Sequence, residues 1–457
     1  MIVEANKRWS EAYAADGPAR QARPRSVVKM VRAWLLLIPL VFLAVHGQPS
    51  FMQGEHNTEG GAGLAAAADG GSGGDDGLER TFVYVAYGVV ACFCLRDHRR
   101  IIETARMAQP LLWLAGLALC SALWSQVPVN SLRYACCYGM DTLLAICLVT
   151  VFTLEELMQL LKMAGVAVVV CSAVMVLAFP QFGIVHQLDH AGAWQGIFSE
   201  KNDAAKNLMF LLTPVMGTQF FERRNLLYAA LLLPFIAMSG SESALVALLL
   251  MAVFVVYQAA FRRLSGKSAT FAATLTAVAM TAGLWALVVE WTQITAMLGR
   301  DATLTGRTEI WALLLEAGRE RPWLGYGYQA FWTGLEGESG KIYETLHWVF
   351  TYAHNGLLEV WLQLGWVGLA LVIFALTQAL RNAARLMRGE GTEGAQWLLS
   401  LLALTLLYNL DEGTILFTRS LVSMLFVLMY VGLAKTAAPQ RVLAARRAGA
   451  MGRVAHA

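Results

Sequence analysis

Charge is scarce in this chain. Asp, Glu, Lys and Arg make up only 15% of its 457 residues, against 57% hydrophobic residues and a mean hydropathy of +0.52. That balance excludes an ordinary soluble domain of this length and predicts a polytopic integral membrane protein of the all-α class. Cysteine is sparse and unpatterned. Cys92, Cys94, Cys120, Cys136, Cys137, Cys147 and Cys171 sit in or beside apolar runs. Without metal-ligand spacing they read as small apolar residues, and neither a metal centre nor a structural disulfide is expected. Internal repeats are also missing. Transporters usually show them, so a lipid-linked-glycan transporter or flippase becomes the weaker alternative, although twelve spans would suit one.

Apolar runs predict about twelve transmembrane helices, near 31–47, 81–95, 107–124, 134–152, 159–179, 204–221, 226–239, 242–260, 270–290, 355–378, 395–411 and 416–434. The pair around Met238 to Glu242 leaves almost no room for a loop. With the N-terminus inside, 25 of the 35 Lys and Arg residues fall in inside segments, and five of the rest lie in one long loop. The positive-inside bias therefore predicts both termini in the cytoplasm and the long loop outside. The first apolar run reads alternatively as a signal peptide, which would leave that loop outside. Residues 1–30 form a basic cytoplasmic tail, 31–434 a single transmembrane domain and 435–457 a second basic tail. Inside the domain, 53–78 is a Gly-rich extracytoplasmic linker and 291–355 the long loop.

The long loop concentrates cations at a membrane surface: Arg300, Arg307, Arg319, Arg321 and Lys341, closing in Tyr352-Ala353-His354-Asn355. Thr308 is a good N-cap, and Ile310, Leu313, Leu314 and Ala317 fall on one helical face. An amphipathic helix ending near Pro322 is expected to lie along the membrane surface. Its first amides, with Arg307 beside them, suit a phosphate, or else the arginine meets lipid headgroups. His354 falls at the outer mouth of the next span and is a candidate proton acceptor near neutral pH. Asn355 and Glu359 share a face four residues apart, with Glu359 a costly charge inside the span. Upstream, Trp194 leads into Lys201-Asn202 at the same surface, where lysine is a point-charge partner for phosphate or snorkels to the interface. Trp124, Trp194, Trp291, Trp311, Trp323, Trp332 and Trp348 cluster at the outer edge, as an interfacial belt or as platforms for sugar rings. Asp141, Glu242, Asp411, Glu412 and Arg419 are further charges within predicted spans, and Arg419 is a candidate partner for one of the carboxylates.

Taken in order, the motifs are Ser121-Ala122-Leu123-Trp124-Ser125, Gly196-Ile197-Phe198 with Lys201-Asn202, and Ser239-Gly240-Ser241. Then come Gly299-Arg300, Thr305-Gly306-Arg307-Thr308, Pro322-Trp323-Leu324-Gly325-Tyr326-Gly327, His354-Asn355 and Gly365. Over residues 110–420 this pattern resembles the bacterial O-antigen ligase and polysaccharide polymerase superfamily, most closely its exopolysaccharide-polymerase branch. The resemblance implies metal-independent, inverting glycosyl transfer without a cofactor at the periplasmic face of the inner membrane. It implies an undecaprenyl-diphosphate-linked oligosaccharide donor, a glycan acceptor, the lipid bilayer, a chain-length regulator and export machinery as partners, and no nucleic acid. His354 and Arg307 would be catalytic: His354 would orient or deprotonate the acceptor hydroxyl, and Arg307 would bind the donor diphosphate. Lys201, Asn202, Arg300, Asn355, Glu359 and Trp194 would contact substrate. The expected activity is polymerisation of lipid-linked repeat units, with transfer to lipid A core as the rival. One position departs from the pattern: Glu242 follows the second serine of Ser-x-Ser, where many ligases carry Arg or Lys. A carboxylate there repels diphosphate, so either Lys201 or Lys206 takes over or the donor sits differently.

Overall fold

The computed structural model describes isolated residues before position 76, then 76–186, 190–216, 220–261, 307–335, 337–346, 352–387 and 392–454. The span expected at 270–290, the first part of the long loop with Arg300, and the Gly-rich linker lie outside the described residues. Among the described residues the chain is helical, and the one β-type pairing is an isolated bridge between Ile184 and Trp194.

Among the described residues the α-helices of eight residues or more are α1 (Asp76–Arg96), α2 (His98–Ala105), α3 (Gln109–Cys120), α4 (Pro128–Val151), α5 (Leu154–Ala178), α6 (Lys201–Leu212), α7 (Arg223–Met238), α8 (Glu242–Phe261), α9 (Arg307–Glu320), α10 (Gly337–Leu346), α11 (Gly356–Met387), α12 (Glu393–Asp411) and α13 (Leu421–Val454). Among the described residues five stretches are long and apolar enough to cross a membrane: His98–Leu123, Pro128–Val151, Leu154–Ala178, Gly356–Met387 and Leu421–Ala438. Side chains on the outer faces of α5, α7 and α8, such as Val170, Val174, Leu227, Leu249 and Val253, are exposed and apolar, as surfaces that meet lipid must be.

Several boundaries move from their sequence-based positions. Only Phe152 and Thr153 separate α4 from α5, because Thr153 and Glu156 form a reciprocal capping box that starts α5 early. Lys162 is therefore inside α5, donating to Asn225 Oδ1 at 2.8 Å, and not in a loop. Helix α6 is short and buried on nearly every side, from Ala204 to Leu212. A helix buried on so many sides needs partners for its polar groups, and Lys206 finds one in Asp203 at 2.6 Å. As expected, α7 and α8 are joined by Ser239-Gly240-Ser241 alone, with Gly240 in the left-handed region at φ 60°.

Helix α11 is kinked at Gly365, whose φ of 63° and ψ of −164° suit glycine only. The kink frees the carbonyls of Leu362 and Gln363, which accept hydrogen bonds from Tyr326 and Gly327 amides at 2.9 and 3.0 Å. In return Trp366 N–H reaches Pro322 O at 2.8 Å. The Pro322–Gly327 segment thus docks into the kink as if it were an extra half-turn. A Cβ on Gly365 would lie 2.2 Å from the Trp323 carbonyl, so the two motifs are one structural unit.

The amphipathic stripe of α9 is present, with Ile310, Leu314 and Ala317 buried. Its apolar face is covered by protein and not by a membrane surface. It forms a second small core with Tyr326, Phe331, Ile342, Tyr343 and Leu362, and Gly318 lets the Trp361 ring pack flush against the helix. Thr308 is not the N-cap: the helix already includes Arg307. Pro322 follows its end, as expected.

Candidate active site

His354 is one of three non-glycine residues with positive φ among the described residues, at 48°. A left-handed histidine is strained and persists only when its surroundings hold it. Here they do so from both sides. Just before it, Ala353 N–H donates to Glu359 Oε2 at 2.7 Å, and Ala353 O accepts from Trp311 Nε1 at 2.8 Å. Just after it, Asn355 Oδ1 caps α11 by accepting the amides of Leu357 and Leu358 at 3.1 and 3.0 Å. Next, Gly356 packs so tightly on Asn409 that a Cβ would sit 1.9 Å from its Oδ1. These bonds tie the loop to α9, α11 and α12 together.

The surroundings of Glu359 account for a carboxylate in a span. Buried to 3% exposure, it accepts from Trp332 Nε1 at 2.8 Å, Gln363 Nε2 at 2.6 Å and the Ala353 amide. Its lone pairs are engaged by the fold, as are those of Asn355, so both act structurally on the histidine loop. Trp311 and Trp332 are neither belt residues nor open platforms; both hydrogen-bond inside the site. Tyr326, Phe331 and Trp332 continue as an edge-to-face series with centroids 5.1 and 4.7 Å apart.

The imidazole faces a group that sequence reasoning left outside the site. Glu412, buried where α12 ends, places Oε1 3.8 Å from His354 Nδ1. That is an ion-pair separation and not a hydrogen bond. Its other oxygen is 3.8 Å from Lys206 Nζ, and Lys206 lies 2.6 Å from Asp203 Oδ1. Burial pushes the Glu412 carboxyl up, but Lys206 and His354 more than offset this and hold it below the ordinary carboxylate value. The Tyr352 ring packs tilted, at 45°, against the His354 ring with centroids 4.1 Å apart. Burial first, then the carboxylates of Glu412, Glu200 and Asp203, raise its hydroxyl far above the usual phenol value, so it stays a donor. A hint of Glu412 was available as a charge within predicted apolar runs; nothing in its spacing tied it to His354.

The Glu412 loop is itself pinned. Asn409 binds Thr405 O at 2.7 Å and the Thr414 hydroxyl, and Tyr328 Oη donates to Leu416 O at 2.6 Å. At its far end Arg419, also left-handed at φ 52°, gives its backbone amide to Asp141 Oδ2 at 2.8 Å. Tyr87 donates to the other Asp141 oxygen at 2.8 Å. Arg419 and Asp141 do meet, then, through the main chain of Arg419, while the guanidinium lies over the Tyr134 ring at 5.9 Å.

Lys201 opens α6 and reaches back to Gly240 O at 3.5 Å, over the Ser-x-Ser turn. Asn202 stands beside it, half-buried. Trp194 packs edge-on against Phe235 at 5.1 Å and its amide donates to Met238 O at 2.9 Å, which fixes the segment ahead of α6 to the end of α7. Arg307 is the first residue of α9, one turn before Trp311, whose indole holds the residue preceding His354. Lys201, the Ser-x-Ser turn, Trp124, which donates to Leu324 O, and the histidine loop gather at one end of the bundle. Lys162, Asn225 and Glu393 line a cleft at the starts of α7 and α12.

Residues 227–373 match the family model described as O-Antigen ligase, a stretch from α7 to the middle of α11 that contains Arg300, Arg307 and His354. The chain is also 24% identical over 358 residues, covering 74% of this chain and 77% of the relative, to the exopolysaccharide production protein ExoQ of Rhizobium meliloti (strain 1021). Lys206 and Glu412 lie outside the family-model match.

Proposed function

We propose, for a chain that belongs to the O-antigen ligase and polysaccharide polymerase superfamily, that it polymerises undecaprenyl-diphosphate-linked oligosaccharide repeat units into an exopolysaccharide. The observation that carries this reading is the strained His354. It is clamped between α9 and α11 with a carboxylate against one ring nitrogen, as a general base is oriented. The similarity to a protein named for exopolysaccharide production favours the polymerase. The matched family description favours the rival, transfer of the lipid-linked glycan to lipid A core. Both use the same chemistry.

In that chemistry an acceptor hydroxyl oxygen attacks the anomeric carbon of the donor. The new C–O bond forms as the bond to diphosphate breaks, and undecaprenyl diphosphate leaves with the bonding electrons. The hydroxyl proton passes to His354 Nε2, while Nδ1 faces Glu412. One displacement inverts the anomeric centre. Arg307, at the start of α9 where first-turn amides have no partner within the helix, binds the departing diphosphate, and Arg300 and Lys201 add positive charge. Fixed cations suffice for so good a leaving group, which is why the reaction is proposed as metal-independent. The basic inside segments put the site on the periplasmic face of the inner membrane.

The test replaces His354 and Arg307 separately with alanine in the native host, with membrane levels verified. Loss of high-molecular-weight polysaccharide with build-up of single lipid-linked units supports the reading. Full-length polymer from both variants refutes it.

A further inference from the structure

We propose that Lys206 is a positioning residue of this site, holding Glu412 fixed and ionised against His354, and is not a ligand of the diphosphate. This rests on the function proposed above. Both lysines of the Lys201–Lys206 turn were candidates to replace the cation missing at Glu242, and their surroundings separate them. Lys201 is half-buried and its ammonium points to a carbonyl, that of Gly240. Lys206, whose side chain is 14% exposed, stands between two carboxylates, Asp203 at 2.6 Å and Glu412 at 3.8 Å. An ammonium between two anions has little positive potential left for a phosphate. What it does supply is a full counter-charge for Glu412, which is 5% exposed and would otherwise be a buried anion held by the Tyr352 hydroxyl and the His354 imidazole, neither of them a permanent cation. The order Asp203, Lys206, Glu412, His354 alternates in charge once the base takes its proton. It runs from α6 through the end of α12 to the histidine loop, linking three elements distant in sequence.

The groups that face His354 are Glu412 from the loop after α12, Tyr352 from its own loop and Glu359 from α11. Behind Glu412 stand Lys206 and Asp203 of α6 and Tyr408 of α12, and Glu200 adds a further carboxylate. Within this set, removing the ammonium leaves a net negative neighbourhood that favours a proton on the imidazole. Removing the Glu412 charge does the reverse.

The experiment measures initial polymerisation rates between pH 5.5 and 9 in proteoliposomes, using lipid-linked repeat units extracted from a host that lacks this protein. Lys206→Met is expected to cut the maximal rate about tenfold or more. It is also expected to move the acidic limb of the pH profile up by about 0.5–1 unit, and Glu412→Gln to move it down. Lys206→Arg should keep the limb in place. If Lys206→Met fails to accumulate, Asp203→Asn must shift the limb downward with Glu412→Gln. A uniform loss of rate with unmoved limbs would mean that Lys206 is merely structural and would overturn the proposal. His354→Ala, run alongside, separates the two levels. Full activity in that variant sinks the functional reading, whereas its inactivity with unmoved limbs in the Lys206 and Glu412 variants sinks only this inference.

Discussion

Replacing Gly365 with alanine tests the kink on which the site is built. Three costs follow from the geometry. At φ 63° and ψ −164° the backbone occupies a region reserved for glycine, which costs an alanine about 1–3 kcal/mol. The new Cβ would lie 2.2 Å from the carbonyl carbon and oxygen of Trp323, so the Pro322–Gly327 segment must move away. That movement breaks the bonds from Trp366 N–H to Pro322 O, 2.8 Å, and from Val367 N–H to Trp323 O, 3.3 Å. At about 0.5–1.5 kcal/mol each, these bring the expected destabilisation to about 2–6 kcal/mol. Gly116, within α3, is the control: a Cβ there meets nothing within 4 Å, and alanine should stabilise by about 0.5–1 kcal/mol. The assay is thermal unfolding of the detergent-purified protein followed by tryptophan fluorescence. Gly365→Ala should lower Tm by about 2–6 °C while Gly116→Ala leaves it level or raised. Equal Tm values for the two variants would refute the docking argument.

Two further outcomes follow. Glu359→Ala removes the acceptor that three N–H donors share, on the half-buried Trp332 and the buried Gln363 and Ala353. It should cost about 3 kcal/mol or more and release the His354 loop; wild-type Tm together with wild-type polymer output would contradict that. Glu412 has a depressed folded-state pKa, so its contribution to stability is present above the ordinary carboxylate value and is lost as pH falls through the lower one. Glu412→Gln lacks that contribution at every pH, so its Tm should fall less than the wild type's between pH 7 and pH 3; an identical fall in both would show that Glu412 gains nothing from Lys206 and His354.

Much of the architecture was legible in the chain because it depends on composition and period. Long apolar runs with few charges identify spans, and a lipid environment leaves helices as their only economical form at this composition. The stripe Ile310, Leu313, Leu314, Ala317 identified α9, and the near-contact of α7 and α8 followed from the missing loop residues. His354 stood out as a histidine where a loop meets a span, and Arg307 as a cation beside a helix start. What covers the stripe of α9 could not be read this way, since a period names a face and not its partner. Only the tertiary structure laid that face on α10 and α11 instead of lipid.

The pairings decided by the fold all join residues far apart in the chain. Gly365 and Pro322-Trp323 are each ordinary loop or kink signals, and they acquire a shared purpose only when a freed carbonyl meets a docked amide. The family resemblance implied that Glu359 and Asn355 contact substrate; in the fold their oxygens cap and brace the histidine loop. Glu412 follows His354 by 58 positions and Lys206 precedes it by 148, and no local pattern links them. Sequence by itself determined which segments are apolar and where scarce charges stand, because hydrophobic burial is a property of composition. The tertiary structure decided which charges meet, because an electrostatic pair depends on a few ångströms that only packing sets.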